Sequence, residues 1–313
     1  IIQADRVCLG HDAQGAASNL LSIRSSDSGT AALLLLDGSA GTQSLTYLDV
    51  KDSNASGGKE LSCSTGCTNS NNNTNWSFGA TTVTIHGRVF SDEGSTALAS
   101  KTVALSVSGS SVQVSAETDT NGAYTITASG ASRSGAVLTL FLQDETQDAV
   151  TVTVSSGSNM TGAHLYKDRL IVRSETGGTV TNSHLRTGTG SSDADITEIY
   201  SIHTDGTTVT TSGSELLVWT DATYGATDYV PEGAVRSGSG VDINGHLKME
   251  SNALTMSGSF DATGGTYSVA SSTVTFDSTG TDSQITSASG EFGAVTFETA
   301  GTWTLQDAMT ASG

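Results

Sequence analysis

Residues 83–126 have the sequence VTIHGRVFSDEGSTALASKTVALSVSGSSVQVSAETDTNGAYTI, and this stretch decides the fold. Apolar residues such as Val83, Ile85 and Val89 alternate with polar ones in short runs. A period of two is typical of a β-strand with one buried and one exposed face. The same alternation continues to residue 154, so residues 80–156 are predicted to form a small β-sandwich.

Two motifs in this stretch carry a resemblance to a known family. They are a G-x-V opening at Gly87 and Val89 and a T-D-x-x-G-x-Y turn at Thr118, Asp119, Gly122 and Tyr124. With them, about a quarter of the chain resembles the carboxypeptidase-regulatory-like and related immunoglobulin-like modules of secreted bacterial proteins. The resemblance implies that the motif maintains the sandwich without a catalytic role, so the segment is expected to be a spacer or adhesive module.

Residues 1–79 are predicted to form stacked short strands separated by glycine, serine or asparagine turns. The runs LLSIRSS, AALLLLD, LTYLDVKDS and KELSC recur about every 10–15 residues, which favours a parallel β-solenoid. Residues 33–36 are four successive leucines. A continuous apolar strand is expected to be covered on both faces.

The remaining residues are also predicted to be β structure. Residues 157–250 contain strands separated by glycine turns, without a pattern that fixes their topology. Residues 251–313 contain two similar stretches in which Phe260 matches Phe292, and this predicts two rungs of a solenoid. The composition of both end segments resembles that of large repeat proteins of bacterial surfaces. The predicted fold is therefore all-β, with β-solenoid-like and β-sandwich modules in tandem over residues 1–79, 80–156, 157–250 and 251–313.

The composition restricts the partners and the location of the protein. A formal charge of −19, with 13 Lys and Arg against 32 Asp and Glu, argues against nucleic acid and anionic membrane surfaces. Because no apolar run of about 18 residues is present, no membrane insertion is expected. Polar, lysine-poor and disulfide-compatible β chains are typical of secreted proteins, so we predict an extracellular or cell-surface location.

Acidic loops provide one candidate metal site. Asp193, Asp195 and Glu198 form the densest cluster of oxygen ligands, and Ca²⁺ is the cation that suits them. The alternative is that these side chains form turns with their own backbone. No other cofactor is expected.

The three cysteines leave an odd one over. Cys63 and Cys67 have a C-x-x-x-C spacing that predicts a local disulfide, with a zinc half-site as the alternative. Cys8 is left over and is expected either to be buried or to pair with another chain. Four N-x-S/T sequons are candidate glycosylation sites, namely Asn54, Asn72, Asn75 and Asn159.

No catalytic constellation is evident in the sequence. The six histidines lack metal-ligand spacing, and no G-x-S-x-G elbow precedes a predicted helix. We therefore predict that the chain is not an enzyme. The pairs Asp193 with Asp195 and Asp49 with Asp52 are the carboxylates that a carbohydrate-active β-helix would offer.

Three hypotheses for the function follow. Neither terminus shows a capping helix, a proline or a dense charge cluster, so residues 1–9 and 302–311 are predicted to be strands that accept a partner strand. Copies joined head to tail in this way form a filament, and the first hypothesis is a structural subunit of an extracellular fibre. The second is a stalk or glycan-binding segment of a large surface adhesin. The third is a carbohydrate-active β-helix enzyme.

Overall fold

The computed structural model describes residues 6–8, 12–16, 19–35, 43–78, 82–128, 131, 134–221, 225–298 and 300–312. The described residues are nearly all β structure, which confirms the predicted fold class. The chain divides into two compact units, Ile1–Thr81 and Thr82–Gly313. The division lies close to the predicted boundary after residue 79, whereas the three segments predicted from residue 80 onward lie within one unit.

The first unit consists of three parallel sheets that the chain visits in turn. Its strands are β1 (Arg6–Cys8), β2 (Asp12–Gln14), β3 (Leu21–Arg24), β4 (Ala32–Leu35), β5 (Ser44–Thr46), β6 (Leu48–Lys51), β7 (Ser53–Asn54), β8 (Leu61–Thr65), β9 (Thr68–Asn69), β10 (Asn73–Thr74) and β11 (Trp76–Phe78). The strand orders are β1-β4-β7-β10, β2-β5-β8-β11 and β3-β6-β9. This cyclic order is the one that a three-sided parallel solenoid would give.

Side chains that point into the first unit form its core, and asparagines form some of its corners. Leu45, Leu48 and Val50 are among the buried residues. Asn72 and Asn75 have φ angles of 55° and 58°, a left-handed conformation that asparagine tolerates better than most residues.

The prediction that residues 33–36 are covered on both faces is wrong for Leu33. Leu33 is 47% exposed, whereas Leu34 is 5% exposed. Strand β4 therefore has one covered face at these two residues, although its sequence is continuously apolar. The side chains of residues 35 and 36 lie outside the described part of the chain.

The second unit begins with a sandwich of two sheets around one core. Its strands are β12 (Val83–Phe90), β13 (Thr102–Val107), β14 (Val114–Glu117), β15 (Ala123–Ala128), β16 (Val137–Leu142), β17 (Val150–Val154) and β18 (Leu165–Tyr166). One sheet has the order β15-β12-β18, and the other begins β14-β13-β16-β17. Ile85, Leu105 and Leu140 are among the residues buried between them.

The rest of the second unit, here called the stacked segment, again passes through three sheets in turn. Its strands are β19 (Arg169–Ser174), β20 (Thr179–Val180), β21 (Tyr200–Ile202), β22 (Val209–Thr211), β23 (Glu215–Val218), β24 (Thr220–Asp221), β25 (Gly225–Ala226), β26 (Asp228–Tyr229), β27 (Val235–Ser237), β28 (Val241–Ile243), β29 (His246–Lys248), β30 (Leu254–Met256), β31 (Phe260–Asp261), β32 (Thr266–Phe276), β33 (Ser283–Thr286), β34 (Glu291–Phe297), β35 (Trp303–Leu305) and β36 (Thr310–Ala311). We call one passage through the three sheets a rung.

From β27 onward the rungs of the stacked segment pair in parallel, about twenty residues apart, whereas β21 and β22 of the first rung pair antiparallel. One sheet contains β19-β23-β28-β31-β33-β35. The long strand β32 turns a corner, because its first part pairs with β29 and its last part pairs with β30. The predicted repeat that matched Phe260 to Phe292 is wrong in register, since Phe260 pairs with Ile285 and Phe292 pairs with Val269 and Ala311.

One sheet is shared between the sandwich and the stacked segment. Strand β17 of the sandwich pairs in parallel with β19, so β14-β13-β16-β17 continue directly into the ladder of the stacked segment. All six residues of β16 are buried. Leu140 faces the sandwich core, and Phe141 faces the core of the stacked segment. The predicted module boundary after residue 156 therefore falls inside a continuous sheet.

A buried ion pair lies where these two parts meet. The side chains of Arg173 and Glu175 are 2% and 0% exposed, with Arg173 Nε 2.7 Å from Glu175 Oε1. Arg173 also donates to the carbonyl groups of Thr161 and Gly162, and Glu175 accepts from Thr153 of β17. Because both charges are buried, each depends on these partners.

Two short helices interrupt the first rung of the stacked segment, and the sequence did not predict them. They are α1 (Asn182–Gly188) and α2 (Ala194–Ile199), with a single 3₁₀ turn at Thr189–Ser191. Leu185, Ile196 and Ile199 bury their side chains in the core of the stacked segment. None of the helices in the described part of the chain has the length or apolar character needed to cross a membrane.

Candidate functional site

The last rung of the second unit has an outer edge with no neighbouring strand in the described part of the chain. Strand β35 is the final strand of its sheet and pairs only with β33, and β36 pairs only with β34. Residues 294–297 of β34 pair with β32 on one side. We call β35, β36 and residues 294–297 the terminal rung. Backbone groups on its outer side are available to a further strand.

The terminal rung also exposes side chains that belong to the core in earlier rungs. Leu305 and Phe297 are paired in register with Ile285 and Phe276, which are both 0% exposed. Leu305 itself is 51% exposed and Phe297 is 47% exposed. The same inward position is thus buried one rung earlier and about half exposed in this rung.

Aromatic packing keeps this open surface ordered. The rings of Phe297 and Phe276 stack 5.1 Å apart at an interplanar angle of 17°. Trp303 packs edge-on against Phe276 at 4.9 Å. Side chains that are already packed lose little additional freedom when a partner covers them, which favours binding.

A carboxylate fixes the turn that follows β35. Asp307 Oδ1 accepts the backbone N–H of Ser287 at 2.8 Å, and Asp307 Oδ2 accepts the backbone N–H of Ala288 at 2.6 Å. These hydrogen bonds lower the pKa of Asp307 below its usual value. The turn is therefore tied to the preceding rung near neutral pH.

The other end of the stacked segment is partly covered. Strand β19 has β17 as its outer neighbour, and the two short helices bury apolar side chains on the core beneath. Tyr200 donates from its hydroxyl to the Leu185 carbonyl at 2.9 Å, which fixes α1 to the chain that follows α2. At this end the sheet of β19 therefore continues into the sandwich, whereas β20 and β21 are edge strands among the described residues.

The first unit has edge strands at both ends of its sheets. Strands β1, β2 and β3 lie at one end, and β9, β10 and β11 lie at the other. β1 covers part of the predicted N-terminal strand, and its side chains lie outside the described part of the chain, including that of Cys8. The predicted C-terminal strand over residues 302–311 is in fact two strands, β35 and β36, with a turn between them.

The structure separates Asp193 from the other two predicted calcium ligands, Asp195 and Glu198. Asp193 caps α2, where its Oδ1 accepts the backbone N–H of Asp195 at 3.2 Å. Asp195 and Glu198 instead approach Asp148, and ligand oxygens of these three residues lie within 4.8 Å of one another. Burial, and then the charges of Glu198 and Asp195, raise the pKa of Asp148. Asp193 does not belong to this group, so the predicted set of ligands was wrong in that residue. Calcium binding itself stays a prediction.

The two other predicted carboxylates have structural partners. Asp49 forms an ion pair with Arg24 and accepts a hydrogen bond from the Ser70 hydroxyl at 2.5 Å. Asp52 accepts hydrogen bonds from Gly29 N and from the side chain of Asn72. These contacts link successive turns of the first unit.

Cys63 and Cys67 are joined by a disulfide, with Cα atoms 6.1 Å apart. Cys63 lies in β8 and is fully buried. Cys67 Sγ accepts a hydrogen bond from the backbone N–H of Leu48 at 3.1 Å. The bond therefore fixes the corner between β8 and β9 in the first unit.

The four sequon asparagines differ in what their side chains do. Asn72 and Asn75 each use Nδ2 to donate two hydrogen bonds within the protein, which competes with attachment of a glycan to that nitrogen. Asn54 and Asn159 accept through Oδ1, from Ser56 N and Thr84 N. Glycosylation stays a prediction for all four.

The T-D-x-x-G-x-Y motif spans the turn between β14 and β15, and its Tyr124 lies in β15. Asp119 Oδ1 accepts the backbone N–H groups of Asn121 and Ala123. Gly122 has a φ of 72°, which favours glycine, and Tyr124 donates from its buried hydroxyl to the Ala163 carbonyl. No family model, curated protein or solved structure matches this chain. The family resemblance therefore stays a prediction.

Proposed function

We propose that this chain is a non-enzymatic structural subunit of an extracellular fibre, which elongates when the terminal rung pairs with a second copy. The observation that carries the proposal is the exposure of Leu305 and Phe297 at inward positions that are fully buried one rung earlier. Covering apolar surface is favourable at roughly 25 cal/mol per Å². A partner strand also pairs the free backbone groups of the edge.

The edge strands of the first unit are the surface on the second copy that suits this role. They are parallel strands with free backbone groups, like those of the terminal rung. Pairing of one end with a different end is a heterologous contact, and such a contact repeats into a filament when it does not close.

The negative charge of the chain makes assembly depend on salt concentration. At a formal charge of −19, copies repel one another at low ionic strength, and salt screens this repulsion beyond about 10 Å at 0.1 M. We expect assembly to increase between low salt and physiological salt. Negative-stain electron microscopy and light scattering of the full chain at neutral pH measure this directly.

A matched pair of variants tests the surface. Leu305→Lys places a charge at the inward position of β35, whereas Thr304→Lys places the same charge at the neighbouring outward position of that strand. We expect Leu305→Lys to abolish filaments and Thr304→Lys to retain them. Dispersed wild-type particles at high concentration would reject the proposal and support a stalk or glycan-binding segment. Equal assembly of both variants would reject the terminal rung as the contact.

A further inference from the structure

A cleft in the second unit lies beside the shared sheet, and none of its residues belongs to the terminal rung. Its volume is about 280 Å³, and it is lined by Glu93, Tyr166, Leu217, Trp219, Thr220 and Asn244. Glu93 comes from the loop after β12, and Tyr166 ends β18. The other four residues lie at or just beyond the ends of β23 and β28. The sandwich and the stacked segment thus each contribute one wall.

The apolar part of the cleft is aromatic and firmly packed. Tyr166 and Trp219 meet edge to face with ring centroids 5.7 Å apart. Trp219 also meets His164 at 6.2 Å, and Tyr166 meets Phe90 at 5.7 Å. Leu217 is fully buried beneath them. The aromatic surface is therefore preorganised and loses little freedom when a ligand binds.

Polar groups surround this aromatic surface. The Glu93 side chain is 46% exposed, and Arg169 Nη2 holds its carboxylate at 2.8 Å. Asn244 uses one amide N–H to donate to Asp242 Oδ2 at 3.2 Å, which leaves its second amide hydrogen for a ligand, whereas its side-chain oxygen packs against Gly264. Thr220 is exposed and adds a hydroxyl. Donors and acceptors are therefore close together beside an apolar ring surface.

The charge of the cleft restricts the ligand. Glu93 and Glu215 share Arg169, whose Nε lies 2.9 Å from Glu215 Oε2. Asp242 and Asp261 are register neighbours on the same sheet and add further negative charge. Uronates, sulfated glycans and phosphates are disfavoured by this field. A cationic ligand would compete with Arg169 for the carboxylates of Glu93 and Glu215.

We propose that this cleft binds one ring of a neutral saccharide, with an apolar sugar face against the half-buried Trp219, which the buried Tyr166 supports, and with hydroxyl groups on Glu93 and Asn244. A sugar ring has C–H groups on its faces and hydroxyl groups around its rim, which matches an aromatic surface with polar groups beside it. Ligand pockets usually have volumes of about 300–1,000 Å³, so a cleft at the lower limit accommodates one terminal or branching sugar. The proposal is independent of fibre assembly.

The test uses the full chain and defined neutral probes. The probes are the methyl glycosides of glucose, galactose, mannose and N-acetylglucosamine, with methyl glucuronide as the anionic probe and tetramethylammonium as the cationic probe. Ligand-observed NMR measures binding. We expect saturable binding of at least one neutral glycoside, with a Kd on the order of 1 mM because a single ring is engaged.

Variants assign the binding to the cleft. Asn244→Ala and Trp219→Ala are each expected to weaken binding at least about tenfold, as loss of a good contact does. Gln284→Ala changes an exposed outward residue of the same sheet and is expected to leave the Kd unchanged. If Trp219→Ala fails to fold, Asn244→Ala and Thr220→Ala still decide the result. No neutral binding, preferential binding of either charged probe, or an unchanged Kd in Asn244→Ala would overturn the proposal.

Discussion

At the residue scale, Asp242 is a carboxyl group in an unfavourable environment. It lies on the outward face of β28 and is only 8% exposed. Burial, and then the negative charges of Glu93, Glu215 and Asp261, raise its pKa to about 7. The positive charge of Arg169 offsets part of this effect.

The raised pKa predicts a pH dependence of stability. Because the folded-state pKa lies above the unfolded value, the folded protein binds this proton more tightly and loses stability as the pH rises from about 4 to about 7. Asp242→Asn removes the titration. Between pH 4 and pH 8 we expect the wild type to lose on the order of 3 kcal/mol more unfolding free energy than Asp242→Asn does.

Urea denaturation at pH 4, 6 and 8 measures this difference. Asp282→Asn changes an exposed carboxylate and serves as the control. Parallel stability curves for the wild type and Asp242→Asn would contradict the assigned environment.

The sequence could not reveal this cluster, and the reason is register. The predicted acidic sites were neighbours in sequence, such as Asp193 and Asp195, because adjacency is what a sequence displays. Asp242 meets Asp261 through strand pairing and meets Glu93 through a distant loop. Pairing register depends on the packing of the whole sheet, so these contacts have no local signal.

At the element scale, local patterns predicted strands well and predicted their surroundings poorly. Strand alternation in residues 83–154 corresponds to the strands of the sandwich. Leu33 and Phe141 lie in similar apolar runs, yet Leu33 is exposed and Phe141 is fully buried. Which faces of a strand are covered depends on its neighbours in space. The spacing of Ile196 and Ile199 after the capping residue Asp193 was a signal for α2 that could have been used.

Strand β16 provides a test of the shared sheet. Leu140 and Phe141 are adjacent, and each faces a different core. We expect Leu140→Ala to cost about 2–5 kcal/mol and Phe141→Ala about 3–5 kcal/mol, because each leaves a cavity. Both changes should lower the urea concentration at the midpoint of a single unfolding transition of residues 82–313, since the sheet joins the two cores.

Hydrogen exchange in increasing urea resolves the transition for peptides from β12 and from β28. If Leu140→Ala shifted the exchange of β12 and left that of β28 unchanged, the two parts would be separate cooperative units. A joint shift of both peptides is the expected result.

At the scale of the whole molecule, the two compact units are expected to unfold separately. The disulfide lies in the first unit and closes a loop with a sequence separation of 4. A loop of this length stabilises by about 2 kcal/mol in the chain-entropy description. We expect the double substitution Cys63→Ser with Cys67→Ser to lower the stability of the first unit by about this amount and to leave the second unit unchanged.

The same urea-dependent exchange experiment, followed on peptides from β6 and β30, separates the two units. Equal destabilisation of both peptides would show that the units unfold together. The division between the units lies two residues from the predicted boundary after residue 79, where the strand alternation of residues 83–154 begins. A boundary after residue 156 was also predicted, but the second unit is continuous there. No local pattern shows that β17 pairs with β19.

The pairing of β17 with β19 also affects the order in which the parts of the second unit fold. Strands β13 and β14, and strands β16 and β17, form antiparallel pairs between consecutive strands, and such local contacts form quickly. Parallel rungs bring together more distant residues and are slower, but β19 can add to an edge that already exists. Folding is therefore expected to start in the sandwich and to proceed rung by rung toward residue 312. Synthesis also delivers the chain in that direction, so each rung emerges after the one on which it is built.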